Sequence, residues 1–176
     1  MSVLLEKIYE YDSIISYRFC DLRSREWLTA MMILASKLGD GPLWALTWIM
    51  MILLGGEKGR HAALLAFISA VICIIFFKLV KNATSRKRPF ETYPDLPIDM
   101  KLPPPDKFSF PSGHSMNAFA FVTITGYYFP SALIPLLIAA FLIASSRVFL
   151  ALHYPSDVVA GASVGVTVSS VLIRLI

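Results

Sequence analysis

Residues 62–80 read AALLAFISAVICIIFFKLV, nineteen positions with Lys78 as their one charge. About 20 consecutive apolar residues suffice for a helix to cross the hydrocarbon core of a bilayer. This stretch therefore predicts a transmembrane helix and decides the class of fold. Composition agrees: the 176-residue chain is 56% hydrophobic and 16% charged, with a mean hydropathy of +0.66. A soluble domain lies near 45–50% apolar and about 25% charged.

On the C-terminal side, 116–129 is apolar, Pro130-Ser131 forms a turn, and 132–152 and 158–176 are further spans. The last carries Ala160, Gly161, Ala162, Ser163 and Gly165, small residues that let helices approach closely in lipid. On the N-terminal side, a polar turn at 57–61 precedes the first run, and 43–56 and 27–38 are shorter apolar runs broken by Gly39-Asp40-Gly41-Pro42. Extended by their flanks, both count as spans; with 27–38 merely re-entrant, five helices remain. Residues 1–26 mix apolar positions with Lys7, Arg18, Arg23, Arg25 and five acids, the pattern of an amphipathic interfacial helix. The N-terminus lacks the basic segment and cleavage site of a signal peptide, so the first helices are expected to direct insertion. The expectation is an all-α integral membrane bundle of about six helices, with a transmembrane domain at 27–176. A polar, proline-rich loop at 81–113, including Pro103-Pro104-Pro105, lies over the site. Loops of this length in compact proteins are usually functional.

The net charge of +4 does not point to nucleic acid, because the basic residues gather in local clusters rather than on a soluble face. Cys20 and Cys73 are the only cysteines. Neither pairs with histidine at ligand spacing, so no zinc site is expected. With six helices the loop cations divide seven and seven between the two faces. Discounting those that serve a ligand makes the termini cytoplasmic. In a bacterium the protein is then expected in the inner membrane, with its site facing the periplasm.

Three polar clusters interrupt this apolar chain: Lys81 to Arg88-Pro89, Pro111-Ser112-Gly113-His114, and Ser146-Arg147 with His153 and Asp157. Ionisable groups in or beside a bilayer are expensive and are functional suspects by default. An up-and-down bundle puts all three on one face. Lys81, Arg88 and Arg147 are phosphate-grade cations. Ser112 and Gly113 open a helix, whose unpaired amides favour an anion. The bland alternatives are cations that snorkel to lipid headgroups and histidines that cap or stabilise helix starts. Asp157 lies four residues after His153 and is placed to accept its Nδ1–H, leaving Nε2 as nucleophile or base. His114, with no such carboxylate in sequence, is expected to protonate the leaving oxygen. Lys81, Arg88, Arg147, Ser112 and the Gly113 amide stabilise the phosphoryl oxygens. No divalent metal or other cofactor is needed for this chemistry.

The pattern Lys81-x6-Arg88-Pro89, Pro111-Ser112-Gly113-His114, Ser146-Arg147-x5-His153-x3-Asp157 resembles the type 2 phosphatidic acid phosphatase family. All three signature motifs are present in order, and residues 1–26 carry none of them. The resemblance implies a metal-independent phosphatase of lipid phosphates or lipid pyrophosphates with a helical core of about six helices. It assigns His153 as nucleophile, His114 as acid and Asp157 as orienting carboxylate, with the remaining residues as phosphate ligands. The family's soluble relatives, bacterial acid phosphatases and vanadium haloperoxidases, share such a site, but the apolar spans argue against both.

The expected activity is hydrolysis of a lipid phosphate monoester through a phosphohistidine, on phosphatidic acid, phosphatidylglycerol phosphate or lipid A 1-phosphate. Undecaprenyl pyrophosphate is the alternative substrate. A non-enzymatic lipid-phosphate binder or transporter is the remote alternative, because a pure binder needs no His153, His114 and Asp157 in that order. The expected partners are the lipid phosphate and membrane lipids; no oligomeric state is assigned.

Overall fold

The computed structural model describes residues 3–93 and 106–176. The chain forms α1 (Val3–Asp21), a 3-10 turn (Leu22–Ser24), α2 (Glu26–Gly39), α3 (Pro42–Leu54) and α4 (Gly56–Thr84). The one-turn α5 (Pro89–Thr92), α6 (Gly113–Tyr128), α7 (Pro130–Phe149) and α8 (Pro155–Leu175) follow. No strand occurs among the described residues. The polyproline run 103–105 and Lys101 of the expected loop lie outside them.

α6 is the hub, packing on α4, α7 and α8, while α2 packs on α7 and α3 on α4. It buries Met116, Ala118, Ala120, Val122 and Ile124. A helix this apolar around its circumference is an inner helix, not a surface one. Around it lies a core that includes Trp44, Leu65, Phe121 and Ile143. α8 reaches α6 closely because Gly161 and Gly165 lack side chains. A Cβ on either would collide with the carbonyl oxygens of Ser112 and Met116. Beside this seam, buried Ser69 and Ser169 share a hydrogen bond of 2.9 Å between α4 and α8.

The outer surface is apolar: Leu53, Leu54, Leu64, Phe67, Ile75 and Leu79 are all more than half exposed. Water would penalise such a surface, whereas lipid chains solvate it. Among the described residues, three helical segments are long and apolar enough to cross a membrane: Gly56–Thr92, Pro130–Phe149 and Pro155–Leu175, with Pro42–Leu54 a shorter apolar helix. The protein is an integral membrane protein. Each Leu, Ile, Phe or Val contributes about 0.3–0.6 kcal/mol to insertion, against about 3 kcal/mol for a lysine at the bilayer centre. The run in α4 easily offsets that, and Lys78, exposed near the helix end, snorkels towards the interface.

Several boundaries differ from the sequence expectation. Residues 57–61 are the first turns of α4 rather than a turn. Gly56 makes the break instead, at φ +59°, a conformation glycine adopts without strain. At its other end α4 continues to Thr84, so Lys81 sits on a last helical turn rather than in a loop. α7 stops at Phe149, three residues early. α1 buries Asp12, Ser16 and Cys20 where it packs on α7 and α8, while Tyr11, Ile14 and Tyr17 remain exposed.

Candidate active site

At the end of the bundle where α4 finishes and α6 and α8 begin, a cavity of about 450 Å³ is lined by Lys81, Arg88, Gly113, His114, Arg147 and His153. Gly39, Asp40, Phe77, Asp106 and Asn117 complete its wall. The three clusters, separated by up to seventy-six positions in sequence from Lys81 to Asp157, therefore meet.

Local structure explains how each side chain is aimed. The segment after α7 turns back through Ala151, held at φ +54°. The Arg147 carbonyl then accepts the Leu152 and His153 amides at 3.0 and 3.1 Å. A left-handed non-glycine residue is held only where its surroundings fix it, and this turn delivers His153 to the cavity. Arg88 Nη1 donates to the Leu152 carbonyl at 2.6 Å and lies 3.5 Å from His153 Nε2. Burial, with Arg88, Arg147 and Lys81 adding their charge, holds the His153 imidazole well below the usual histidine range. It is neutral at pH 7, with a lone pair available.

Asp157 is fully buried. Its Oδ2 accepts the Tyr154 amide at 2.8 Å and stands 3.6 Å from His153 Nδ1. That is neighbouring but longer than a hydrogen bond, and His153 Nδ1 has no other partner among the described residues. Asp157 Oδ1 instead takes a charge-assisted bond of 2.6 Å from Arg86, a residue the motif pattern passes over.

The Ser112 hydroxyl differs from expectation. It is buried and caps α6, accepting from the Ser115 amide at 3.4 Å and the Ser115 hydroxyl at 3.0 Å. It is not part of the cavity wall. Gly113, as the first residue of α6, is on that wall. His114 also differs, because it does have a carboxylate partner: Asp40 Oδ1 lies 2.5 Å from its Nε2. That hydrogen bond holds the Asp40 carboxyl below the usual carboxylate range. In sequence, Asp40 reads only as part of a Gly-Asp-Gly-Pro break. Nothing but the folded proximity of the α2–α3 turn to α6 could have exposed its partnership.

A second unforeseen acid occupies the cation cluster. Asp106 accepts from Lys81 Nζ at 2.6 and 2.7 Å and from Arg88 Nη2 at 2.8 Å. Burial works to raise its carboxyl, and the two cations overcome this and hold it below the usual range. A carboxylate, itself an oxyanion, is thus held between Lys81 and Arg88. Arg147 Nη1 donates to the Ser36 hydroxyl on α2, which fixes the third cation from the opposite wall.

Chemically, the cavity offers a neutral imidazole, a second histidine, three cations and a helix N-terminus. This is an equipment set for phosphoryl transfer, where catalysis consists largely of positioning and charge stabilisation.

Comparison with known proteins agrees. A decaprenylphosphoryl-5-phosphoribose phosphatase of Mycobacterium tuberculosis is 30% identical over 132 residues, covering 71% of this chain and 69% of that protein. An undecaprenyl-diphosphatase of Sulfolobus acidocaldarius is 27% identical over 149 residues, covering 84% and 70%. The crystal structure of a transmembrane PAP2 type phosphatidylglycerolphosphate phosphatase from Bacillus subtilis superposes with a TM-score of 0.74 at 24% identity, covering 96% of this chain and 85% of that one. The family described as the PAP2 superfamily matches residues 61–176, the segment that holds every motif residue of the cavity, and the chain belongs to that superfamily.

Proposed function

We propose that the protein hydrolyses a lipid phosphate monoester through a phosphohistidine. Nε2 of His153 attacks phosphorus as the ester P–O bond breaks, and His114 gives its proton to the departing lipid oxygen. Water then attacks phosphorus, its proton passing to the His114 that gave one up, as the N–P bond breaks to return His153 and release phosphate. Lys81, Arg88 and Arg147, with the Gly113 amide, hold the phosphoryl oxygens throughout. No metal takes part in the proposed steps, since the cations supply the electrostatic stabilisation.

The observation that carries this reading is the meeting of His153 Nε2 with three cations and His114 in one cavity at the end of helices whose outer faces are apolar. A lipid phosphate fits both halves, its chains against those faces and its headgroup in the cavity. Phosphatidic acid, phosphatidylglycerol phosphate and lipid A 1-phosphate are the proposed monoester classes. A pyrophosphate of undecaprenol is the second reading, favoured by the similarity to an undecaprenyl-diphosphatase; attack on a terminal phosphorus serves an anhydride equally. The cavity faces the periplasm of a bacterial inner membrane in this proposal, and α1 lies along the interface beside it.

The test is phosphate release by the purified protein from a panel of lipid mono- and diphosphates, with and without strong chelation. Turnover that survives chelation and is lost by at least about a thousandfold in His153→Ala is expected. Release that needs an added divalent ion, or that persists in His153→Ala, would contradict the proposal.

A further inference from the structure

α1 lies outside the segment matched by the family, yet it sends one buried acid towards the site. Asp12 is 2% exposed. Its Oδ2 accepts from Arg86 Nη2 at 2.7 Å and from the Ser156 hydroxyl at 2.5 Å, and its Oδ1 accepts the Ser156 amide at 2.9 Å. Arg86 spends its other nitrogen on Asp157 Oδ1, at 2.6 Å, and on the Ser156 hydroxyl, at 2.8 Å. The guanidinium rests on the Tyr154 ring, 4.1 Å from its centroid. One arginine is thus clamped between two buried carboxylates, and the second of these faces His153 Nδ1 at 3.6 Å.

We infer that Asp12, acting through Arg86, is a positioning residue for the His153–Asp157 pair. The argument is one of charge and geometry. When Nε2 bonds phosphorus and the ester P–O bond breaks, electron density leaves the imidazole and the ring becomes cationic. Two carboxylates and one guanidinium carry a net single negative charge beside that ring. Without Asp12, Arg86 would neutralise Asp157, and the developing cation would face no net charge. Asp12 also fixes the direction of the fork. A guanidinium gripped at both ends leaves Asp157 Oδ1 fully engaged and Oδ2 turned towards the histidine, a bridging geometry that a lysine does not reproduce.

The alternative is that Asp12 merely fastens α1 to the first turn of α8, since it accepts the Ser156 amide there. The two differ in what else must be present. A fastener acts on folding and adds independently to other changes, whereas a positioning residue acts only while Asp157 does.

The inference rests on His153 being the nucleophile, so His153→Ala is measured beside it. The full-length protein in detergent micelles is assayed on whichever panel lipid it turns over fastest, as a cycle of Asp12→Asn, Asp157→Asn and the double variant. We expect Asp12→Asn to lower kcat about tenfold with KM within about twofold, and to cause no further loss in the Asp157→Asn background. An equal loss in both backgrounds, or wild-type kcat in Asp12→Asn while His153→Ala is inactive, would overturn the inference and leave the nucleophile standing. Activity in His153→Ala would overturn both. If Asp12→Asn does not yield folded protein, Arg86→Lys runs through the same cycle with the same expected pattern, and additivity there overturns the inference.

Discussion

At the scale of single residues, the motif side chains were legible because ionisable groups are rare and costly in so apolar a chain. Their partners were not, because Asp40 and Asp106 sit in turns where acids are ordinary. Asp106 is the most informative of these. It ties Lys81 and Arg88 together, so in the proposed mechanism an incoming phosphate displaces its carboxylate. A charge-assisted bond contributes about 1.5–3 kcal/mol when buried. Asp106 is one-third exposed at its side chain, and solvent screening reduces that figure. Asp106→Asn is therefore expected to lower KM about fivefold, and to tighten competitive inhibition by inorganic phosphate in the same measure. Steady-state kinetics check this, and a raised KM would show that Asp106 helps to build the phosphate site instead of occupying it. The Ser112 hydroxyl is engaged for a physical reason: a serine just before a helix serves the helix first, by capping it.

At the scale of elements, the long apolar runs identified α4, α7 and α8 directly, and the differences at the two ends of α4 have one cause. Helices continue past the hydrocarbon layer, and the continuation is polar. Glu57, Lys58, Arg60 and His61 read as a turn, yet they form the first turns of α4, with Glu57 and Arg60 paired at 2.8 Å. The glycines of α8 were legible as a packing stripe, and the structure supplies their partner, α6. Gly165→Leu would drive a side chain into the Met116 carbonyl. Overpacking of this kind costs about 1–3 kcal/mol, so a lower unfolding temperature of the solubilised protein is expected. Activity per folded molecule should fall too, because the same seam carries the 3.1 Å bond from the Ser112 amide to the Asp157 carbonyl. Val166→Leu on the exposed side of the same turn should change neither. Equal effects of both substitutions would remove the seam from the account.

At the scale of the whole molecule, the alternation of runs and turns in the sequence is enough to bring all the clusters to one end. Helix count and orientation were harder, because α2 and α3 have 14 and 13 residues and short helices leave their mark ambiguously in hydropathy. The proposed orientation is open to direct test. Lys87 and Glu57 are exposed near opposite ends of α4, which at about 1.5 Å per residue is some 44 Å long. Both native cysteines are buried. With the site periplasmic, an impermeant thiol reagent should label Lys87→Cys in intact cells and Glu57→Cys only after lysis; the reverse pattern would invert the topology. The central claim, that the folded chain turns His153 into a nucleophile, is tested most directly by acid-free trapping of the protein during turnover of a lipid labelled in its phosphate, followed by peptide mapping. Label on the peptide bearing His153, absent from His153→Ala and formed more slowly in His114→Ala, is the expected result. Undiminished turnover in His153→Ala, or label on another residue, would contradict it.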